Sequence, residues 1–184
     1  MDTQNKLTRR RFMQLAALSA GGVCLFARCS KPLTSWRFFT NAEARLMDAL
    51  ADQIIPADEW PGGSESGVTN FIDKQLIGPY LRFQNDYRKG LRGIEDTCET
   101  IHQKRFERLS IDEQTSFLER MEDGKLKGSD WNNGFDRSFF SLLRDHSMQG
   151  YYGSSRHGGN RDNISYKMLR LDYPLIIGQN RYKN

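Results

Sequence analysis

The sequence predicts an all-α fold: a single irregular helical domain with a long, Gly-rich, mostly non-helical C-terminal tail. Three observations predict it. Thr40-x-x-Glu43 and Ser110-x-x-Glu113 are capping boxes, in which a hydroxyl takes the N3 amide and the Glu returns to the N-cap amide. The apolar residues after each box recur at helical spacing. No hairpin signal, run of alternating strands or internal repeat interrupts them.

After Thr40, the residues Ala44, Met47, Ala51 and Ile54 interleave with Leu46, Leu50 and Ile55, and Pro56 stops the helix. "PADEWPGGSESG" is a turn-rich loop. A second helix begins near Gly67-Val68 with Phe71, Ile72, Gln75 and Leu76 on one face, and Gly78-Pro79 ends it. A third runs from Tyr80 to about Arg108 behind Leu81, Tyr87, Leu91, Ile94, Cys98 and Ile101. Gly90 and Gly93 either weaken it or allow close packing. The Ser110 box opens a helix to about Met121, and Gly124–Gly134 is a loop. The last clear helix covers about Asn133 to Gln149, with Phe135, Phe139, Phe140, Leu142 and Leu143 apolar and Gly150 placed as a C-cap. The organisation read from this is a signal segment at 1–30, a linker at 31–39, a helical domain at 40–170 and an extension at 171–184.

The 184-residue chain has a net charge of +4, but the excess is local. Residues 1–28 hold five Lys/Arg against one Asp, and the remaining 22 basic and 22 acidic residues balance. A body without net charge argues against nucleic acid as a partner. Mean hydropathy of −0.70 excludes a polytopic membrane protein. Beyond Cys24 and Cys29 the body keeps only Cys98, which rules out an internal disulfide or a Cys-rich metal site there.

The N-terminus reads as an address. Thr8-Arg9-Arg10-Arg11-Phe12-Met13 precedes fifteen uncharged, moderately apolar residues, Phe12–Phe26. At about 1.5 Å per residue these fall short of the ~30 Å hydrocarbon core. The order matches the twin-arginine export motif, with Arg9, Arg10 and Phe12 as its readable residues. That route carries folded cargo to the periplasm. Cys29-Ser-Lys-Pro has the look of a lipidation site, although Arg28 departs from the small residue expected before the lipidated Cys.

The densest stretch of chemistry is "DHSMQGYYGSSRHGGNRDNISYKML", 145–169. His102, His146 and His157 show no HExxH or HxxxH spacing, and Ser147 points about 100° away from His146 on a helix. No Gly-x-Ser-x-Gly, GxGxxG, GxxxxGK[ST] or CxxCH pattern occurs. A small exported metal-dependent or hydrolytic enzyme would have to draw on His146, His157 and Asp162. The other alternative is an envelope structural protein anchored by a lipid on Cys29.

Three stretches bear a resemblance: "FTNAEARLMDALADQIIPADEWPGGSESGVTNFIDKQL" (39–76), "GPYLRFQNDYRKGLRGIED" (78–96) and "FFSLLRDHSMQGYYGSSRHGGNRDNISYKML" (139–169). Together they resemble the gluconate 2-dehydrogenase subunit 3 family, through GPY…YRKGL, HSMxGYYG…GGNRD and Tyr166-Lys167; region 97–138 matches weakly. The resemblance implies a non-catalytic small subunit with no cofactor of its own. Its large partner holds FAD and oxidises a sugar or sugar acid, and a multihaem cytochrome c subunit often accepts the electrons. The small subunit binds the flavoprotein, aids its maturation and supplies the signal for the twin-arginine machinery. Membrane association would come through the partner, an uncleaved signal or the lipid. Residues expected at or behind the partner interface are Tyr80, Tyr87, Tyr151, Tyr152, His157, Asn160 and Arg161, Tyr and Arg being favoured anchors. The bland reading stands beside it: Tyr151 and Tyr152 cover the core, and Gly158-Gly159 make a turn. The extension, with Pro174 and Leu175-Ile176-Ile177, is expected to wrap a partner.

Overall fold

The structure is a computed structural model that describes residues 36–171. The export motif with Arg9, Arg10 and Phe12, Cys29 and residues 172–184 lie outside the described residues. Within them are six α-helices and no strand: α1 (Asn41–Ile54), α2 (Val68–Leu76), α3 (Gln84–His102), α4 (Ile111–Glu122), α5 (Phe135–Tyr152) and α6 (Ile164–Met168). The all-α expectation holds.

Both capping boxes form. Thr40 Oγ1 accepts from the Glu43 amide at 3.2 Å while the Thr40 amide donates to the Glu43 carboxylate at 2.7 Å; Ser110 and Glu113 repeat the exchange at 3.3 and 2.8 Å. Each pair satisfies two amides that a helix start otherwise leaves open. α1 then presents Ala44, Leu46, Met47, Leu50 and Ala51 to the core. α2 supplies Val68, Phe71, Ile72 and Leu76. α3 adds Leu91, Ile94 and Cys98, and α5 adds Phe139, Leu143 and Tyr151. Each fully buried Leu or Ile stabilises the fold by about 1.5–3 kcal/mol relative to an exposed one.

Asp73 joins the chain's early segment to this core. Its carboxylate is wholly buried and accepts three backbone amides, from Arg37 at 2.8 Å, Phe38 at 2.8 Å and Phe39 at 3.0 Å. Residues 37–39, at the end of the stretch read as a linker, therefore belong to the packed body, with Phe39 only 2% exposed.

At Gly90 two helices meet closely. A Cβ there would overlap the ring of Phe139, so α3 and α5 approach to a distance only glycine allows. Nearby, Trp131 packs on Gly93, and its Nε1 donates to Thr97 Oγ1 at 2.9 Å.

Three boundaries differ from the sequence expectation. The third helix spans Gln84–His102 rather than Tyr80–Arg108. Leu81–Phe83 is a 3-10 turn following Gly78-Pro79, and Gln103 adopts left-handed backbone (φ 53) that stops the helix. The last long helix continues past Gln149 to Tyr152. Gly150 is thus not a C-cap but an interior, buried residue whose missing side chain makes room for Phe71; the C-cap is Gly153. The Gly-rich tail carries 3-10 turns at Ser155–His157 and Arg161–Asn163 and then the short α6, before the chain leaves the described residues.

Candidate functional site

The glycine-rich loop after α5 folds back on α2 and α5. Gly158 takes φ +101, a conformation suited to glycine, and its carbonyl accepts from Asn70 Nδ2 at 2.6 Å. Gly159 lies against the backbone of Gly150, where a Cβ would overlap the Gly150 carbonyl. The Arg161 amide donates to the Ser66 carbonyl at 2.8 Å. Asn160 closes the loop from inside. It is fully buried, its Nδ2 donates to the Gly153 carbonyl at 2.8 Å, and its Oδ1 accepts from the Ser165 amide at 3.0 Å.

The seven residues expected at an interface separate into three buried, three exposed and one half-buried. Tyr87 is wholly buried, so its expected place at a partner surface is corrected: it sits in the core with Phe39, Phe139 and His146 around it. Asn160 and Tyr151 are buried too and act from behind the surface. The Tyr151 hydroxyl donates to the Pro61 carbonyl at 2.9 Å, fixing the 56–67 loop to α5. Tyr152, His157 and Arg161 are exposed. Tyr80 is half-buried; its ring stacks on His146 with centroids 4.0 Å apart, and its hydroxyl bonds to Gln149.

His146 is only 4% exposed and lies between two tyrosines. Burial drives its pKa down to about 4, and Arg82 adds to the fall while Asp145 opposes it. Burial pushes the Tyr87 phenol well above its usual value, with Tyr80 adding to the rise. With both groups neutral, the Tyr87 hydroxyl and His146 Nδ1 share a hydrogen bond across 3.0 Å, its direction set by the imidazole tautomer. That arrangement positions rings and leaves the ring nitrogen engaged.

His146, His157 and Asp162 are not gathered into a ligand set. His146 is enclosed in the aromatic stack. His157 and Asp162 are exposed, His157 with Arg156 Nε at 3.1 Å from its Nε2. Among the described residues, no group of three His, Cys, Asp or Glu side chains is placed to hold a metal ion. The Cys98 thiol is buried on α3, and burial first, then Glu107 and Glu95, push it up to about 12. It is a packing residue.

What the outer side of this region offers is a shallow depression floored by Phe71, Met148, Tyr152 and Gly153 and edged by Gln149 and His157. The sequence placed Phe71 only on the apolar face of the second helix and Met148 only within HSMxGYYG; neither was expected at a surface site. Met148 and Tyr152 stand one helical turn apart on α5 and are 42% and 38% exposed. That spacing was visible in the sequence, but Phe71 joins them only through the fold.

A family model described as gluconate 2-dehydrogenase subunit 3 matches residues 41–172. No curated protein and no solved structure matches the chain.

Proposed function

The chain belongs to the gluconate 2-dehydrogenase subunit 3 family, and on that premise we propose that it is the non-catalytic small subunit of an exported FAD-dependent sugar or sugar-acid dehydrogenase. The family makes it an accessory part of a dehydrogenase complex. In this reading the large subunit carries FAD and oxidises the alcohol carbon, and a multihaem cytochrome c subunit takes up the electrons. The small subunit binds the folded flavoprotein, aids its maturation and carries it through the twin-arginine route to the periplasm.

The observation that supports the reading best is the division of labour in the loop at 153–165. Its inward polar groups hold the loop to α2 and α5, while Tyr152, His157 and Arg161 face outward beside an apolar depression. A rigid loop presenting Tyr and Arg is suited to recognising a partner, because little side-chain and backbone freedom is lost on contact.

The export half rests on Arg9 and Arg10. Lysine keeps the charge but lacks the planar guanidinium fork. Replacing both with lysine, Arg9→Lys/Arg10→Lys, is expected to leave both this chain and the flavoprotein in the cytoplasm when the two are co-expressed. Fractionation with flavin absorbance reads the result. Flavoprotein reaching the periplasm beside the double variant rules out the escort role. Failure of the two unaltered chains to co-purify rules out the subunit role.

A further inference from the structure

The flavoprotein's docking point on this chain can be placed more narrowly. Residues 153–171 hold four Lys/Arg and one Asp, whereas residues 29–152 hold 16 Lys/Arg and 20 Asp/Glu. The loop is therefore a basic segment on an otherwise acidic body. Its Arg156, Arg161, Lys167 and Arg170 are all exposed, and among the described residues no ion pair engages them. Arg161 is partly offset by the nearby Asp48 carboxylate. Arg156 makes no ion pair among the described residues and stands against His157, which lines the apolar depression. Lys74 approaches the same edge from α2, its ammonium lying over Gly158.

The result is an apolar floor with cations at its rim. Phe71 below, with Met148 and Tyr152 beside it, can enclose one apolar side chain. Gln149 extends the face to Tyr80, which is held against His146. An aromatic and methionine floor with a charged edge is the usual make-up of an interface anchor site, the floor giving affinity and the rim setting partner and orientation.

We infer that this face, Phe71–Met148–Tyr152 with Lys74 and Arg156 at its rim, receives an apolar side chain of the FAD-bearing subunit flanked by that subunit's Asp or Glu residues. The inference rests on the small-subunit reading above.

The test is binding of the full-length chain to the purified flavoprotein subunit, by calorimetry or interferometry at two salt concentrations. Met148→Glu places a carboxylate on the floor and is expected to weaken Kd by about 30-fold, as loss of an interface anchor does. Lys74→Glu/Arg156→Glu reverses the charge at the rim and is expected to cost about 10-fold at low salt and to abolish the salt dependence of the unaltered chain. Ile111→Glu, on α4 and 73% exposed in the unaltered chain, lines none of the depression and is expected to bind within about twofold of wild type. Helical circular dichroism and a melting scan establish that each variant is folded.

If wild type binds and both face variants bind equally well, the docking point is wrong while the subunit reading stands. If wild type itself does not bind, the subunit reading falls and takes the docking point with it. If the face variants instead remove self-association of this chain, or its binding to vesicles of anionic phospholipid, and leave flavoprotein binding intact, the occupant is a second copy or a membrane and the inference is overturned.

Discussion

Among the described residues the cationic side chain nearest Asp73 is Arg37 at 3.8 Å, so three backbone amides carry most of its compensation for burial. Asp73→Asn removes the charge and turns a donor toward donors. The expected loss is about 2–4 kcal/mol in urea unfolding, the range for buried hydrogen bonds to a charged group. A loss under about 0.5 kcal/mol would mean the segment at 37–39 is held by Phe39 packing alone. His146 governs an acid dependence. Its folded pKa of about 4 lies below the ordinary 6.5, so the unfolded chain takes up a proton between those values that the folded chain refuses. The stability it contributes is complete above pH 6.5, declines as pH falls toward 4 and levels off below. The total change is about 3 kcal/mol. Urea midpoints across that window should fall in wild type and fall distinctly less in His146→Asn, whose side-chain amide can still hydrogen-bond to Tyr87. Equal slopes would assign the acid dependence to other groups.

At the level of the helices, Gly90 sets how closely α3 and α5 pack. Gly90→Ala gains about 1 kcal/mol of helix propensity but pushes a methyl into the Phe139 ring, at about 1–3 kcal/mol for overpacking. A net loss is expected by thermal unfolding, with partial recovery in Gly90→Ala/Phe139→Leu; a stabilised single variant would show that the two helices can separate without penalty. The helix starts at Thr40 and Ser110 were legible because a capping box lies within four residues. Gly150 was misread for the opposite reason. A glycine after an apolar run looks like a cap until Phe71, 79 positions away, is known to lie against it. The third helix was extended too far because Leu81 and Ile101 keep its apolar spacing, while the left-handed Gln103 has no marker in the sequence. Asp73 was invisible altogether, since backbone amides carry no signature of their own. The depression on α5 was half legible: Tyr152 and His157 drew notice through the glycines around them, whereas Phe71 and Lys74 arrive from another element.

For the molecule as a whole, the loop that holds the sequence's densest stretch of chemistry is part of the scaffold on one side and a surface on the other. Asn160 closes the loop on itself between Gly153 and Ser165, Tyr151 on α5 ties that helix to Pro61, and the loop's charged residues remain outward. In the proposed role, complex formation and export would require that scaffold to be complete, and so the co-purification experiment needs both chains shown to be folded. The order of synthesis adds a condition. Asn70 and Ser66 leave the ribosome long before their partners, Gly158 and Arg161, 88 and 95 residues further on. Until those residues emerge, the Asn70–Gly158 and Ser66–Arg161 hydrogen bonds are unmade and Gly159 does not yet lie against Gly150. The nascent domain can assemble its helices early but is latched shut only by one of its last-made segments.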